Sequence, residues 1–454
     1  MTPPGGNPLR RELGLAAVTA VVAGNMLGSG VFFTPGELAA VATEPWQVYF
    51  FWALCGAITL CGALTLAELT TRLPRAGAAF HIIREAYGPF WAFLTVWMQM
   101  WVSGPGSVAG VAIVFGEFLM LFLGGAAGVS APVIGACAIA AFAIVNLRGV
   151  EWGGWTQVAL TAAKVTGLLA LVMGSLLLTD AVPEPPMFTT AGSGWLGFVR
   201  VVGLGVAAVL FTYDGWVDVA NLAGEVDRPR RDLPWGLALG VTGISLLYLL
   251  VNYAYLRVVP LDAMRAAPTT VANQVAQAAF GPSGGSALNG LIMLSIFGAL
   301  GGLVMTQPRL FYAMASQYEP AAIDPRLHAF FRGLSRVSGA TAVPMGAILF
   351  CAALSIVAIL FFGSFSRLVT FFVVPLQLSN IFVVAAVFRL PRGTPGRDEY
   401  RTPGYPFIPL VFIVVMALFL VSAIVYQPVD TLIGVALTLT GVPVYYRLSR
   451  ADRG

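Results

Sequence analysis

Residues 24–35 read Gly24-Asn25-Met26-Leu27-Gly28-Ser29-Gly30-Val31-Phe32-Phe33-Thr34-Pro35 and lie in the middle of the first long apolar segment, 13–41. The segment has the composition of a membrane-spanning helix, yet three glycines and a serine fall within seven residues at its centre. Glycine loosens a helix. Unwound backbone at membrane depth is tolerated only where it is buried in protein or lines a watery cavity. The stretch therefore predicts either a small-residue packing surface or a functional break.

The composition is that of a polytopic membrane protein. Of 454 residues, 58% are hydrophobic and only 10% are charged, and the mean hydropathy is +0.84. The apolar runs are continuous, which indicates helices rather than the alternating strands of an outer-membrane barrel. We predict twelve transmembrane helices near 13–41, 46–71, 88–123, 130–147, 152–179, 196–224, 235–259, 286–316, 343–362, 366–389, 406–426 and 429–447.

The arginines predict the orientation. With twelve spans, only Arg200, Arg257, Arg265 and Arg367 fall on one side, and the other twenty arginines fall on the side that holds both ends of the chain. The positive-inside rule then places the 1–12 tail and the 448–454 tail in the cytoplasm. The net charge of +4 reflects this topology, and no nucleic-acid partner is expected.

Lys164 is the only lysine of the chain and stands in the middle of the fifth predicted span. An ammonium at mid-membrane costs at least about 2.5 kcal/mol and usually faces a polar interior. Snorkelling to the membrane surface is the alternative, but the position is too central for an easy reach to water. We therefore predict a functional role for this side chain.

The sixth predicted span contains a second interruption. Its sequence Phe211-Thr212-Tyr213-Asp214-Gly215-Trp216-Val217-Asp218 places two acids and a glycine in an apolar segment. The two acids are four residues apart and would share a face if the helix continued. About 184 residues, or five spans, separate Ser29 from Tyr213. Two interrupted helices at corresponding positions indicate a 5+5 inverted-repeat secondary transporter of the leucine-transporter type. The repeats would be 13–179 and 196–389, with 406–447 outside the core.

Several stretches also carry a family pattern. They are Gly28–Phe32, Ala67-Glu68-Leu69 followed by Pro74, Gly77 and Ala86-Tyr87-Gly88, Phe211 with Tyr213–Trp216, Gly224-Glu225 with Pro229 and Leu233-Pro234, and Pro308–Ala315. Together they resemble the amino acid–polyamine–organocation superfamily. Within it, the chain is most similar to bacterial members of the L-type amino acid transporter branch. The resemblance covers the ten-helix core.

The resemblance implies particular roles. In this branch the lysine of the fifth span is thought to occupy the space of a sodium ion, and Phe211 would act as a gate over the substrate. Eukaryotic members attach a heavy chain through a cysteine in the loop after the third span, but the loop 124–130 has no cysteine, so no disulfide-linked heavy chain is expected. Asp214 stands where animal members often carry a small residue, which leaves the charge preference for the substrate open.

The two breaks also predict a binding site from physical chemistry. Unwinding at Gly28, Ser29 and Gly30 frees amides at the positive end of a half-helix, which favours a carboxylate. Carbonyls near Met26 and Phe211 would attract an ammonium. The predicted substrate-binding residues are therefore Met26, Gly28, Ser29, Gly30, Phe211, Thr212, Tyr213, Asp214 and Gly215. The resemblance further implies that Lys164 reaches carbonyls near Val22 to Gly24 and a hydroxyl such as Ser295, in place of a sodium ion.

Other classes of protein fit less well. His81 and His328 are the only histidines and form no ligand pair, and Gly281–Gly285 matches G-x-S-x-G without the strand that such an elbow requires. The four cysteines lie inside apolar spans and read as core residues. No enzyme activity, cofactor or metal is expected. A channel is the nearer rival.

The sequence therefore predicts a sodium-independent transporter of neutral L-amino acids that works by alternating access and exchange. Proton-coupled symport and a cationic amino acid or polyamine carrier remain alternatives. The partners are the amino acid and the lipid bilayer. The oligomeric state is left open, with a monomer as the starting assumption.

Overall fold

The computed structural model describes residues 9–122, 129–182, 205–206, 209–267, 270–319, 324–362, 365–392, 399–426 and 428–449. Within these ranges the chain is helical and forms no β-sheet; the one isolated bridge pairs Leu13 with Val226. Residues 196–204 and 207–208 of the sixth predicted span, most of the 124–130 loop and most of both tails lie outside the described residues.

The described part contains eighteen α-helices. They are α1 Leu15–Met26, α2 Gly30–Ala39, α3 Pro45–Arg72, α4 Ala78–Tyr87, α5 Pro89–Met98, α6 Gly104–Phe122, α7 Ala131–Leu147, α8 Val150–Leu178, α9 Pro229–Val258, α10 Leu261–Ala266, α11 Val271–Phe280, α12 Pro282–Tyr318, α13 Pro325–Leu334, α14 Met345–Phe362, α15 Phe365–Ala385, α16 Phe407–Tyr426, α17 Pro428–Leu439 and α18 Gly441–Ser449.

The long apolar helices make this a multi-pass membrane protein. Five of them are long and apolar enough to cross a bilayer: α3, the continuous 89–120 run, α8, α9 and α12. The pair α1 and α2 passes the same test as one span that is bent by 41° at its break. Shorter apolar helices follow at 131–147, 345–361, 374–388 and 407–421. The number twelve and the inverted repeat stay predictions.

Two irregular segments differ from the sequence prediction. The third predicted span, 88–123, is interrupted by a π-helical turn, Gln99–Ser103, between α5 and α6. Such turns are frequent at functional sites. The predicted last span, 429–447, is divided into α17 and α18 between Leu439 and Gly441.

The broken first span lies at the centre of the fold. Helix α1 packs against α8, α9, α12 and the 3₁₀ segment Trp216–Glu225. Glycines in the facing helices make this close packing possible. A Cβ on Gly240 of α9, for example, would lie 2.6 Å from Cγ1 of Val22. Without a hydrophobic driving force between helices in lipid, such small-residue contacts supply the packing.

A buried ion pair lies next to the point where the chain enters α1. Arg309 donates from Nε to Oε1 of Glu225 over 2.8 Å and from Nη2 to Oε2 over 3.1 Å, and both side chains are fully buried. The amides of Glu12 and Leu13 each donate to the Glu225 carbonyl over 3.0 Å. Arg309 lies inside α12, within the predicted span 286–316, and Glu225 supplies the counter-charge that its burial requires.

Candidate functional site

A cavity of about 340 Å³ lies between the two breaks. Its walls come from the end of α1, from α2, α6, α12 and α15, and from residues 211–218. The polar side chains that line it are Asn25, Ser29, Thr34, Glu37, Ser107, Thr212, Asp214, Asp218, Gln307 and Asn380, and the apolar wall includes Phe33, Val111, Val114, Phe211, Ile296, Leu303 and Leu376. A partly polar, concave site of this volume is typical of small-ligand binding.

The first break presents unpaired amides to the cavity. Helix α1 ends at Met26, and α2 begins at Gly30. Within the described part of the chain, the amides of Ser29 and Gly30 make no backbone hydrogen bond. Because these groups stand at the positive end of α2, the break is a site for an anionic group. Gly28, Ser29 and Gly30 all line the cavity, as predicted from their position in the sequence.

The second break lies at residues 211–215. A 3₁₀ turn, Phe211–Tyr213, is followed by Asp214 in an extended conformation and by Gly215 with φ of +102°. A Cβ on Gly215 would lie 2.9–3.0 Å from atoms of Asn25, so both the backbone angle and the close approach require glycine. Because the helix does not continue through Gly215, the shared helical face expected for Asp214 and Asp218 does not form. Both acids nevertheless line the cavity.

Direct hydrogen bonds join the two breaks. The Tyr248 hydroxyl of α9 donates to the Met26 carbonyl over 2.7 Å and lies 3.4 Å from the Thr212 carbonyl. The hydroxyls of Thr34 and Thr212 are 2.8 Å apart. A Cβ on Gly30 would meet Cγ2 of Thr212 at 2.5 Å. The two breaks are therefore joined by contacts among the protein's own side chains and backbone.

Two predicted site residues are engaged elsewhere. The Met26 carbonyl accepts from the Gly28 amide over 2.9 Å as well as from Tyr248, so both of its lone pairs have partners. Tyr213 is 1% exposed, and its hydroxyl donates to the Trp52 carbonyl over 2.9 Å. It packs with Trp52 and Tyr248 behind the cavity wall, because the 3₁₀ turn directs it away from the lumen.

The remaining predicted residues of the second break face the cavity. Phe211, Thr212, Asp214 and Gly215 all line it. The Phe211 ring is 39% exposed, which is unusual for a large apolar side chain beside a buried break. The Phe211 carbonyl accepts from the Asp214 amide over 3.2 Å and retains one lone pair.

Lys164 of α8 supports the first break from behind. It is fully buried, and its Nζ donates to the carbonyls of Gly24 and Leu27, each over 2.9 Å. Ser295 of α12 donates to the carbonyls of Leu27 and Gly28 over 3.0 Å each. The prediction that Lys164 reaches Gly24 agrees with this geometry, whereas the second carbonyl is Leu27 and not Val22. The ammonium thus satisfies carbonyls that the break leaves without helical partners.

Several cavity residues are absent from the predicted site. Asn25 donates from Nδ2 to Oδ2 of Asp218 over 3.2 Å, and Gln307 donates from Nε2 to Oδ1 of Asp218 over 3.1 Å. Asn380 lies with Nδ2 3.5 Å from Oδ1 of Asp214. Each of these residues stands out in the sequence as a polar side chain inside an apolar span. Only the fold shows that they meet in one cavity.

Among the described residues, the charged side chains that line the cavity are all acidic. Three acidic residues, Glu37, Asp214 and Asp218, stand among its lining, and no basic residue stands among the described residues that line it. Among the described residues, no three His, Cys, Asp or Glu side chains are grouped so that they could hold a metal ion. The arrangement is suited to a small ligand that carries both a carboxylate and hydrogen-bond donors.

Comparison with known proteins agrees with this chemistry. The chain is similar to the serine/threonine exchanger SteT of Bacillus subtilis (strain 168), with 29% identity over 447 residues that cover 98% of each chain. It is also similar to the human cystine/glutamate transporter, with 26% identity over 96% of this chain and 85% of the relative. The b(0,+)-type amino acid transporter 1 of Mus musculus is 27% identical over 98% and 90% of the two chains. The profile of the amino acid permease family matches residues 13–445, and the chain therefore belongs to that family and is a membrane transporter, not an enzyme.

Proposed function

We propose that this amino acid permease is a sodium-independent exchanger of neutral L-amino acids that works by alternating access. The observation that carries the proposal is the pair of breaks that face one cavity. Ser29 and Gly30 offer amide donors on one side, and the Phe211 carbonyl and the Asp214 carboxylate offer acceptors on the other. A zwitterion satisfies both sets, whereas a simple amine or acid leaves one set unpaired.

The backbone groups define the α-amino acid, and the cavity wall defines its side chain. The ammonium binds at Asp214 and Phe211 rather than at Met26, whose carbonyl already accepts two hydrogen bonds. The exposed Phe211 ring is placed to close over the substrate as a gate. Closure of such a gate would exclude water and commit the substrate to transport.

Lys164 takes the place that a sodium ion would need beside the first break. Its two hydrogen bonds to Gly24 and Leu27, together with those of Ser295, support this role. A cation attached to α8 by covalent bonds is present whatever the ionic composition of the medium. Transport is therefore expected to proceed without sodium.

The family and the hydrophobic helices support the finer architecture that we propose. It consists of twelve spans with repeats at 13–179 and 196–389, helices 11 and 12 at 406–447, and cytoplasmic tails at 1–12 and 448–454. We place the protein in the bacterial inner membrane, in keeping with its similarity to a Bacillus subtilis exchanger. No disulfide-linked heavy chain is proposed, because residues 124–130 contain no cysteine.

A second substrate class has one observation in its favour. Three carboxylates line the cavity, which would suit a cationic amino acid. We prefer neutral substrates, because Asp218 already accepts hydrogen bonds from Asn25 and Gln307 and Asp214 is needed for the α-ammonium. The serine/threonine exchange named for one relative is in keeping with this preference.

The test is uptake into liposomes that contain the purified protein. The vesicles are preloaded with one amino acid at a time, and uptake of radiolabelled alanine, serine, leucine or arginine is measured. We expect uptake only with internal amino acid, at equal rates in sodium and choline chloride and with or without a pH gradient. Vesicles with Gly30→Val are the control, because a side chain there collides with Thr212.

The alternatives give different results in the same assay. Stronger competition by arginine than by serine or leucine would establish the cationic class. Uptake that needs a proton gradient and no internal substrate would establish symport. Flux that neither saturates nor responds to internal amino acid would indicate a channel.

A further inference from the structure

The cavity has a second polar region beside the two breaks. Asp218, Asn25 and Gln307, which we call the acceptor floor, come from the second break, from α1 and from α12. Asp218 is 8% exposed and Gln307 is 2% exposed, yet all three side chains line the cavity. No part of the zwitterion site described above uses them.

The hydrogen bonds of the acceptor floor leave acceptor positions of Asp218 without a partner. Asn25 and Gln307 both direct their NH₂ groups at the Asp218 carboxylate, over 3.2 and 3.1 Å. A carboxylate has about four acceptor positions, so about two remain. Among the described residues, Oε1 of Gln307 has no hydrogen-bond partner. A buried acceptor without a partner is costly and requires an explanation.

The unpaired Oδ1 of Asn25 and the unpaired Oε1 of Gln307 both lie against helix backbone. A Cβ on Gly302 of α12 would collide with Oδ1 of Asn25, and a Cβ on Gly104 of α6 would lie 3.3 Å from Oε1 of Gln307. Gly302 thereby fixes the rotamer of Asn25 and the direction of its NH₂ group. The free acceptors that a ligand can reach are therefore those of the Asp218 carboxylate.

We propose that the acceptor floor is the specificity site for the substrate side chain and selects amino acids whose side chain ends in a hydrogen-bond donor. This inference rests on the proposed function. A short neutral hydroxyl side chain supplies a donor to the free acceptor positions of Asp218 without adding charge, whereas its apolar isostere leaves those positions unpaired. A site built around buried polar groups rejects the isostere for that reason.

The test compares threonine with valine, which share a shape and differ in the hydroxyl. Competition against labelled serine uptake should show that threonine has an apparent affinity about ten-fold or more above that of valine, since hydrogen bonds to charged groups have that strength. Serine and alanine form a second pair. In Asp218→Asn, the preference for threonine should fall at least about five-fold, while valine still competes.

Glu37→Gln is the matched control. It removes one negative charge from the same cavity, but Glu37 is exposed and lies beyond Gly30 on α2. We expect its threonine-to-valine ratio to equal that of the wild type. If Asp218→Asn does not fold, Gln307→Met keeps a similar volume and removes one of the two amides that orient the Asp218 carboxylate, and its ratio should fall in the same direction.

Each result separates the two proposals. A wild-type protein that transports no amino acid refutes the proposed function itself. A wild-type protein that transports amino acids but accepts threonine and valine equally refutes the acceptor floor alone. An equal fall in Glu37→Gln and Asp218→Asn would assign the preference to cavity charge and also refute it. A merely structural role for Asp218 would lower uptake of all substrates together and leave the ratio unchanged.

Discussion

Gly30 is the position where one added methyl group tests the contact between the two breaks. In Gly30→Ala, the new Cβ would lie 2.5 Å from Cγ2, 2.6 Å from Oγ1 and 2.9 Å from Cβ of Thr212. Carbon atoms pack at about 3.5–4.0 Å, so Thr212 must move by about 1 Å. Its hydroxyl is held 2.8 Å from that of Thr34, which opposes the movement.

The size of the effect follows from this overlap. Overpacking of this kind costs about 1–3 kcal/mol, which corresponds to about a 5- to 150-fold change in the balance between packed and separated breaks. We expect the half-saturation concentration for exchange to rise by at least about five-fold. The assay is concentration-dependent uptake into preloaded liposomes, accompanied by a thermal unfolding curve of the purified variant.

Two further variants isolate the cause. Thr212→Ala removes Cγ2 and Oγ1, so the double variant Gly30→Ala/Thr212→Ala should recover part of the lost affinity and show a coupling energy of about 0.5–3 kcal/mol. In Gly28→Ala the Cβ meets no atom within 4 Å, so its unfolding temperature should stay near that of the wild type. Normal exchange by Gly30→Ala, or an absence of coupling with Thr212, would refute the reasoning.

Two predictions concern buried charges. Lys164→Ala should slow exchange about ten-fold or more, because two charged hydrogen bonds to the first break are lost. The same variant should weaken substrate binding far less. Equal turnover in the variant and the wild type, or a requirement for sodium in the wild type, would contradict the assigned role. Glu225→Gln leaves the fully buried Arg309 without its ion pair and should lower the free energy of unfolding by about 3–5 kcal/mol. The double variant with Arg309→Met should recover much of that loss in a thermal unfolding assay. A double variant that is no more stable than the single one would count against the ion pair.

The sequence was sufficient to predict features that depend on local composition. Gly28, Ser29 and Gly30 in an apolar run, and Gly215 beside Asp214, predict breaks because glycine and acids disfavour a continuous helix in lipid. Lys164 could be assigned to the first break, since a buried ammonium needs carbonyl oxygens and the break frees them. The family pattern then related these positions to one another.

Features that depend on contacts between distant helices could not be predicted. Gln307 and Asn25 are 282 residues apart in the sequence numbering, and only the packing of α12 on α1 brings both to Asp218. The buried state of Arg309 depends on Glu225, a partner 84 residues away. Tyr213 turns from the cavity because the backbone adopts a 3₁₀ turn, and no property of the residue itself determines that direction.

The aromatic layer behind the cavity has a consequence for engineering. Trp52, Tyr213 and Tyr248 hold the backbone of both breaks, but these three do not line the lumen, whereas the acceptor floor and the apolar residues Val111, Leu303 and Leu376 do. Recognition of the common α-amino acid part and recognition of the variable part are thus assigned to separate sets of residues. Substitutions in the second set can redirect the permease to new cargo while the framework remains intact, so libraries aimed at altered selectivity should vary α6, α12 and α15 and leave the aromatic layer unchanged.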